Sequence, residues 1–82
     1  MPGSGGIGLL VGLPEGGPAR LDVYDVLGRH VRSLASGELP RGYTLESWDG
    51  RDSQGRSARR GIYFVRLATP QGRLTTRLLL ID

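Results

Sequence analysis

The chain has 82 residues, enough for one small domain and too few for a multidomain enzyme. Hydrophobic residues make up 38% of it and 14 residues are glycine, a composition typical of a globular, turn-rich protein rather than a disordered or collagen-like one. The absence of cysteine excludes a disulfide scaffold, a zinc finger and thiol chemistry. All 11 basic side chains are arginine, which also excludes covalent chemistry on lysine.

Net charge gives little support for a nucleic-acid partner. A formal charge of +3 is small for a whole domain, and only 6% of the residues are aromatic, so the stacking groups that bind bases are few. We also predict no membrane span, because the apolar stretch at residues 7–13 is too short for one or for a signal peptide. Residues 1–6 are interpreted as a flexible leader or a cloning remnant, and residues 7–82 as the domain.

The apolar residues occur in short runs that end at glycine, proline or aspartate, a pattern typical of β-strands. The first run predicts a strand with one apolar face, and it ends in a turn at residues 14–18. That face carries Ile7, Leu9, Val11 and Leu13. In the second run, residues 19, 21 and 23 are apolar, whereas Arg20, Asp22 and Tyr24 alternate with them. We therefore expect one buried face and one solvent-facing face.

The next two strands are less regular in pattern. Gly28 permits a left-handed turn, after which the chain returns through Val31 and Leu34 to a predicted turn at residues 36–42. In the fourth run, residues 43 and 45 share one parity and Trp48 has the other. Either this strand is covered on both faces or a bulge shifts its register before Trp48.

Residues 49–61 are almost entirely polar and predict one long connection. The run at residues 62–68 is apolar on both parities at its start, which is expected of a central strand between two layers. A turn at residues 69–73 joins it to the run at residues 74–81, so the two runs predict a β-hairpin. The whole pattern predicts an all-β fold, a small Ig-like β-sandwich of six to seven mainly antiparallel strands.

Three segments occur in an order found in known families: residues 21–29 (LDVYDVLGR), 48–52 (WDGRD) and 61–67 (GIYFVRL). They resemble the Ig-like domain of the flagellar hook-capping protein FlgD and the C-terminal sorting domains of type IX secretion cargo, over residues 7–82. The positions that carry the resemblance are Tyr24, Gly28, Trp48, Asp49, Gly50, Asp52, Gly61 and Tyr63.

The two branches of this resemblance imply different functions. Similarity to sorting domains implies a non-catalytic module that directs attached cargo through the periplasm to the cell surface or the medium, with the secretion machinery as partner. Its export signal would lie outside this chain. Similarity to the hook cap implies a structural module that self-associates. One departure from the sorting pattern is the tail, which has no basic residue after Arg77.

Asp49, Asp52 and Gln54 offer oxygen atoms in a glycine-containing loop, as calcium sites do. Their spacing does not match a calcium loop, because Arg51 stands at a ligand position and no acidic residue follows before residue 60. We therefore predict no metal site and interpret both aspartates as acceptors of loop amide hydrogen bonds in Asx-turns.

Arg56, Arg59 and Arg60, together with Arg51, form the main basic cluster of the sequence. A guanidinium group pairs well with phosphate or carboxylate, so this cluster is a candidate recognition surface for an acidic partner. The alternative is a solvated loop whose arginines are partly paired with the neighbouring aspartates.

No combination of residues predicts catalysis or a cofactor. His30 is the single histidine and is interpreted as a surface residue after a turn, because no serine and acid are placed to complete a triad with it. Asp22 and Asp25 have opposite parity on one strand, so they do not form a pair of hydrolytic carboxylates. Trp48, Tyr63 and Phe64 are interpreted as core residues rather than as a ligand-stacking strip.

The last apolar run provides the other candidate recognition residues, which are Leu74, Arg77, Leu78 and Leu80. An apolar edge strand is able to pair with a partner by strand addition, and it also completes the sheet of its own domain. Both roles are compatible if the partner binds the edge of the folded sheet.

Overall fold

The computed structural model describes residues 6–81, which form six β-strands joined by turns and one long loop. In chain order the strands are β1 (Ile7–Leu13), β2 (Gly17–Asp25), β3 (His30–Leu39), β4 (Gly42–Trp48), β5 (Gly61–Thr69) and β6 (Gly72–Leu80). All pairings are antiparallel. The predicted leader falls almost wholly outside the described residues, of which Gly6 is the first.

The strands form two sheets that pack face to face. One has the order β1-β4 and the other the order β3-β2-β5-β6. The chain crosses from one sheet to the other between β1 and β2, between β3 and β4, and between β4 and β5, whereas β2–β3 and β5–β6 are hairpins. The prediction of a small, antiparallel Ig-like β-sandwich is confirmed, with six strands among the described residues.

Alternating side chains of both sheets make the core, as the period of two in the sequence predicts. The two-stranded sheet contributes Val11 and Trp48, and the four-stranded sheet contributes residues from its two central strands. The core cluster comprises Val11, Leu21, Val23, Trp48, Tyr63 and Val65. Trp48 and Val23 are fully buried, so the core is centred where β4 crosses β2 and β5.

Strand β3 is longer than its sequence predicts. The expected turn at residues 36–42 is wrong, because β3 continues to Leu39 and pairs with the start of β2, leaving only residues 40 and 41 between β3 and β4. The pairing of β2 with β3 shifts register at two places, opposite Val31 and Leu34. Such irregularities allow both of these side chains to pack against the core. Strand β2 likewise starts at Gly17, inside the turn predicted for residues 14–18.

Strand β4 follows neither of the two predicted alternatives. Its pairing with β1 is continuous from Trp48 opposite Ile7 to Gly42 opposite Leu13, without a bulge. It is also covered on one face only, since Trp48 points into the core while Tyr43 and Leu45 are 77% and 73% exposed. The pattern misled because two large apolar residues lie on the outer face of a two-stranded sheet.

The outer faces of β2 and β5 also differ from what the sequence predicts. Asp22 was expected on the solvent face of β2, yet only 5% of it is exposed. Strand β5 is central within its sheet, between β2 and β6, but it does not lie between two layers. Its inner face buries Tyr63 and Val65, whereas Ile62 on the outer face is 43% exposed. None of the residues from 6 to 81 forms a helix suited to crossing a membrane.

Candidate protein-interaction surfaces

Trp48 fixes the beginning of the long loop between β4 and β5. Its ring is fully buried, and its indole Nε1 donates a hydrogen bond of 2.9 Å to the carbonyl oxygen of Arg51. The next residue, Asp49, accepts 3.0 Å hydrogen bonds from the Arg51 amide and from Nη1 of Arg32 on β3. The loop therefore leaves the core in one defined direction.

Tyr63 fixes the end of the same loop. Its hydroxyl donates a hydrogen bond of 2.6 Å to the carbonyl oxygen of Arg59, and its ring meets that of Trp48 edge to face, with centroids 5.1 Å apart. The interpretation of these two rings as core residues is confirmed by their exposures of 0% and 7%. Phe64 lies on the opposite face of β5 and is only half-buried, so it does not belong to that core.

Asp52 organises the middle of the loop as an Asx-turn. Its Oδ1 accepts hydrogen bonds from the amides of Gln54 and Arg56, at 2.9 and 3.0 Å, and its Oδ2 accepts one from Nε of Arg56 at 3.2 Å. The Arg56 amide, followed by that of Gln54, lowers the pKa of Asp52, because both stabilise the ionised carboxylate. Gly55 adopts a φ of 83°, a conformation that glycine reaches without a steric penalty.

Asp25 organises the turn between β2 and β3 in the same way. Its Oδ1 accepts 2.9 Å hydrogen bonds from the amides of Leu27 and Arg29, and its Oδ2 accepts one of 2.8 Å from Nε of Arg29. Gly28 has a φ of 81°. The Arg29 amide is the main cause of the lowered pKa of Asp25.

These two turns are copies of one local structure, written twice as Asp-x-x-Gly-Arg at residues 25–29 and 52–56. In each turn, the backbone amide of the aspartate donates a hydrogen bond to the backbone carbonyl of the arginine. The backbone amide of the glycine donates one to the backbone carbonyl of the aspartate. Sequence reasoning missed this repetition, although the repeated spacing of aspartate, glycine and arginine would have revealed it. The predicted Asx-turns at Asp49 and Asp52 are confirmed.

Gly50 and Gly61 complete the framework of the loop. Gly50 has a φ of 78° and lies beside Leu80, and its carbonyl accepts a 2.8 Å hydrogen bond from the amide of Ala58. Gly61 begins β5 and pairs with Leu80 on β6. A hydrogen bond of 2.8 Å from the Ser53 amide to the Val31 carbonyl attaches the loop to β3. Within residues 6–81 no group of three or more potential ligands is placed to hold a metal ion.

The two Asp-x-x-Gly-Arg turns border a cleft of about 560 Å³ at one end of the sandwich. The candidate recognition residues Arg56, Arg59 and Arg60 all line it. Arg56 is ion-paired with Asp52 at 3.2 Å, and Arg51 is directed elsewhere, with its Nη1 donating to the carbonyl of Gly55. The structure thus brings three of the four clustered arginines to one surface.

His30 and Asp22 meet on the outer face of the four-stranded sheet. The His30 Nε2 lies 3.0 Å from Oδ1 of Asp22, which also pairs with Arg20 at 3.2 Å. Burial raises the pKa of Asp22, but hydrogen bonds from Arg20, His30 and Ser33 outweigh that effect and leave the pKa below its ordinary value. His30 is exposed at the start of β3, as predicted.

Tyr24 joins the same outer face. Its ring meets that of His30 edge to face at 5.5 Å, and the guanidinium carbon of Arg66 lies 4.3 Å from its centroid. A cation over an aromatic ring is attracted by the electrons of the ring face. Tyr24 therefore links β2, β3 and β5 on the side of the sheet away from the core.

The four candidate residues of β6 do not form one surface. Leu78 and Leu80 are half-buried and pack against the core. Leu74 has the same parity but is 67% exposed, whereas Arg77 pairs with Phe64 on the outer face. Strand β6 is an edge strand of its sheet, as the interpretation of this run requires.

A surface that the sequence did not indicate lies on the outer face of the β1-β4 sheet. Leu10 and Leu45 are directly opposed across the two strands and are 67% and 73% exposed, with Tyr43 next to them at 77%. The Tyr43 ring lies over Gly12, where an added Cβ would be 2.8 Å from its Cε1. We call Leu10, Tyr43 and Leu45 the outer apolar patch.

The two-sheet topology and the turn geometry define an Ig-like β-sandwich. Within that class, the sequence model of the FlgD Ig-like domain matches residues 7–72, and the chain belongs to this family. The match covers β1 to β5 and ends where β6 begins. No curated protein and no solved structure matches the chain.

Proposed function

We propose that this domain is a non-catalytic structural module that acts by binding proteins, including further copies of itself. Membership of the FlgD Ig-like family carries this proposal. The outer apolar patch supports self-association, because its three large apolar side chains lie together, exposed to solvent, on one face of the two-stranded sheet. Contiguous exposed apolar surface commonly marks a protein-binding site.

Sedimentation velocity over a wide range of protein concentration tests the self-association. We expect discrete oligomers in the parent chain and their loss in Leu45→Arg, which places a charge in the patch. Leu27→Arg is the matched control, because Leu27 in the β2–β3 turn is also 73% exposed. A parent chain that stays monomeric, or equal behaviour of both variants, would contradict self-association through this patch.

A second proposed function is the sorting of secreted cargo. Strand β6 supports it, since this edge strand exposes Leu79 at 60% and Leu74 at 67%, which a secretion partner could bind. In that case the domain acts in the periplasm and accompanies its cargo to the cell surface or the medium.

A reporter experiment tests this second function. A reporter with a signal peptide is fused ahead of the domain in a bacterium with a working type IX secretion system. Reporter on the surface or in the medium, lost in a secretion mutant, is the expected result. Reporter retained in the periplasm with the domain folded and intact would exclude sorting in that host.

A further inference from the structure

Strand β1 has an edge without a partner among residues 6–81, since it pairs there only with β4. Protein edge strands are commonly protected by charged residues, proline or bulges. Strand β1, with the sequence IGLLVGL, has none of these. The two edge strands of the larger sheet do carry such features: β3 has Arg32, Glu38 and two register shifts, and β6 has Arg73 and Arg77.

An apolar groove runs beside this free edge. A recess of about 160 Å³ lies between β1 and the inner face of the larger sheet, and Leu9, Val11, Leu67, Leu74 and Thr76 are among its lining residues. A second recess of about 220 Å³ shares Gly12, Leu67 and Leu74 with the first and extends to Arg73. The groove is therefore apolar beside Leu9 and Val11 and becomes more polar toward Thr69 and Gln71, near the turn between β5 and β6.

The groove exists because the two sheets differ in width. Two strands pack over four, and neighbouring strands are about 4.8 Å apart, so part of the larger sheet is left uncovered. On the β4 side the two sheets are joined by the short connection from β3, which leaves the uncovered part on the side of β1 and β6. Leu74 is 67% exposed there, although its parity matches that of the buried Tyr63 and Val65.

We propose that the free edge of β1 and this groove bind an extended peptide segment of a partner protein as an added β-strand. The segment has apolar side chains at alternate positions, which face Leu67 and Leu74, and polar side chains between them, which face solvent. This inference rests on the proposed protein-binding function and specifies one partner chemistry and one surface for it.

The position of β6 favours a single added strand over a second copy of the domain. The backbone groups along an unpaired edge form hydrogen bonds with any extended segment, whereas the groove selects side chains by size and polarity. Leu74 and Thr76 of the edge strand β6 line the recess beside β1, so β6 lies beneath the space next to that free edge. The β6 strands of two copies would therefore collide before their β1 edges reached hydrogen-bonding distance.

An NMR titration of the ¹⁵N-labelled chain tests the proposal. The probe is a short blocked peptide in which valine alternates with threonine. We expect amide shift changes in Gly8, Gly12, Leu74 and Thr76. The control peptide has proline in place of its central valine, because proline cannot donate the strand hydrogen bond, and it should not bind.

Two leucines on opposite faces of β6 provide matched variants of the protein. Leu74→Arg puts a charge into the groove and should weaken peptide binding at least about tenfold, a change of roughly 1.4 kcal/mol. Leu79→Arg places the same charge on the other face, where the side chain is 60% exposed, and should leave binding unchanged. Leu74→Ser tests the same site with a smaller change if the arginine variant is poorly folded.

Any of three results would overturn peptide binding in the groove: no peptide binds, Leu74→Arg and Leu79→Arg weaken peptide binding equally, or the amide shift changes are confined to β3. Oligomers that are lost in Leu74→Arg without peptide binding would identify a second copy as the occupant instead. If oligomers are lost in Leu45→Arg but not in Leu74→Arg, and no peptide binds, the proposed structural function stands and the proposed peptide site is wrong. The two proposals are therefore distinguishable.

Discussion

The side chains of Trp48 and Tyr63 contact each other edge to face, and each donates a hydrogen bond to a carbonyl near a different end of one loop. The ring centroids are 5.1 Å apart, and the acceptors are the carbonyls of Arg51 and Arg59. The core of the domain and the position of the arginine-lined cleft are thus determined by the same two residues. Changes to either ring should affect both stability and loop order.

Replacement of Trp48 by alanine should lower the free energy of unfolding by about 3–5 kcal/mol, because it empties the centre of the core. For a domain of this size that is a large part of the total stability. Urea unfolding followed by circular dichroism measures the effect. Trp48→Phe is the control: it keeps a ring and loses one hydrogen bond, so it should cost less. A Trp48→Ala variant with an unchanged unfolding midpoint would place this residue outside the stabilising core.

Replacement of Tyr63 by phenylalanine removes only the hydroxyl group that binds the Arg59 carbonyl. We expect a loss of about 1 kcal/mol, the usual contribution of such a hydrogen bond. The substitution should also accelerate amide hydrogen exchange more in residues 56–60 than in β2. Uniform acceleration over the whole chain would indicate that the hydroxyl supports global stability and does not specifically order the loop.

The glycines of the two repeated turns should resist substitution. Gly28→Ala and Gly55→Ala force alanine into left-handed backbone conformations, with φ values of 81° and 83°, at a cost of about 1–2 kcal/mol each. Thermal unfolding measures this cost. Gly8→Ala is the control, since Gly8 lies in β1 without a positive φ and an added Cβ would meet only Leu45 at 3.8 Å. If all three variants melted alike, the turn conformation would not be the cause.

Stability should fall in acid because the pKa values of Asp22, Asp25 and Asp52 are lowered in the folded chain. A carboxylate with a depressed folded-state pKa stabilises the fold fully above its unfolded-state pKa, here near 3.8, and loses this contribution as pH falls through the folded-state value. We therefore expect a steady melting temperature near neutral pH and a decline below about pH 4.

Asp52→Asn tests the origin of this decline, since asparagine retains an oxygen for the loop amides but does not titrate. The variant should melt lower than the parent at neutral pH and approach it near about pH 2, where the parent carboxylate is protonated. Melting curves at a series of pH values measure both limits. A constant difference between the two proteins at all pH values would show that charge at Asp52 is not involved.

Local features of the fold could be predicted from the sequence because they depend on neighbouring residues. Alternation at Leu21 and Val23 predicted a strand with a buried face, and the turn at residues 69–73, which contains Pro70 and Gly72, predicted the hairpin of β5 and β6. Asp49 and Asp52 were predicted to accept loop amides, because an aspartate side chain reaches the amides two residues further along. In each case the interacting groups are close along the chain.

Other features were decided only in the tertiary structure. The pairing of Ile7 with Trp48 determines that Tyr43 and Leu45 point outward, and this contact joins residues far apart in the chain. The buried carboxylate of Asp22 likewise contacts His30 on the neighbouring strand, eight residues further along the chain.

The sequence by itself thus determined where most strands lie, the turn between β5 and β6 and the arginine-rich loop, through the period of two and the preferences of glycine and aspartate. The folded structure decided which strands share a sheet. It also decided that two strands cover four, which leaves β1 with a free edge above an apolar groove. The physical reason is that sheet order and sheet width depend on how distant segments bury their apolar faces together, and no local pattern records that choice.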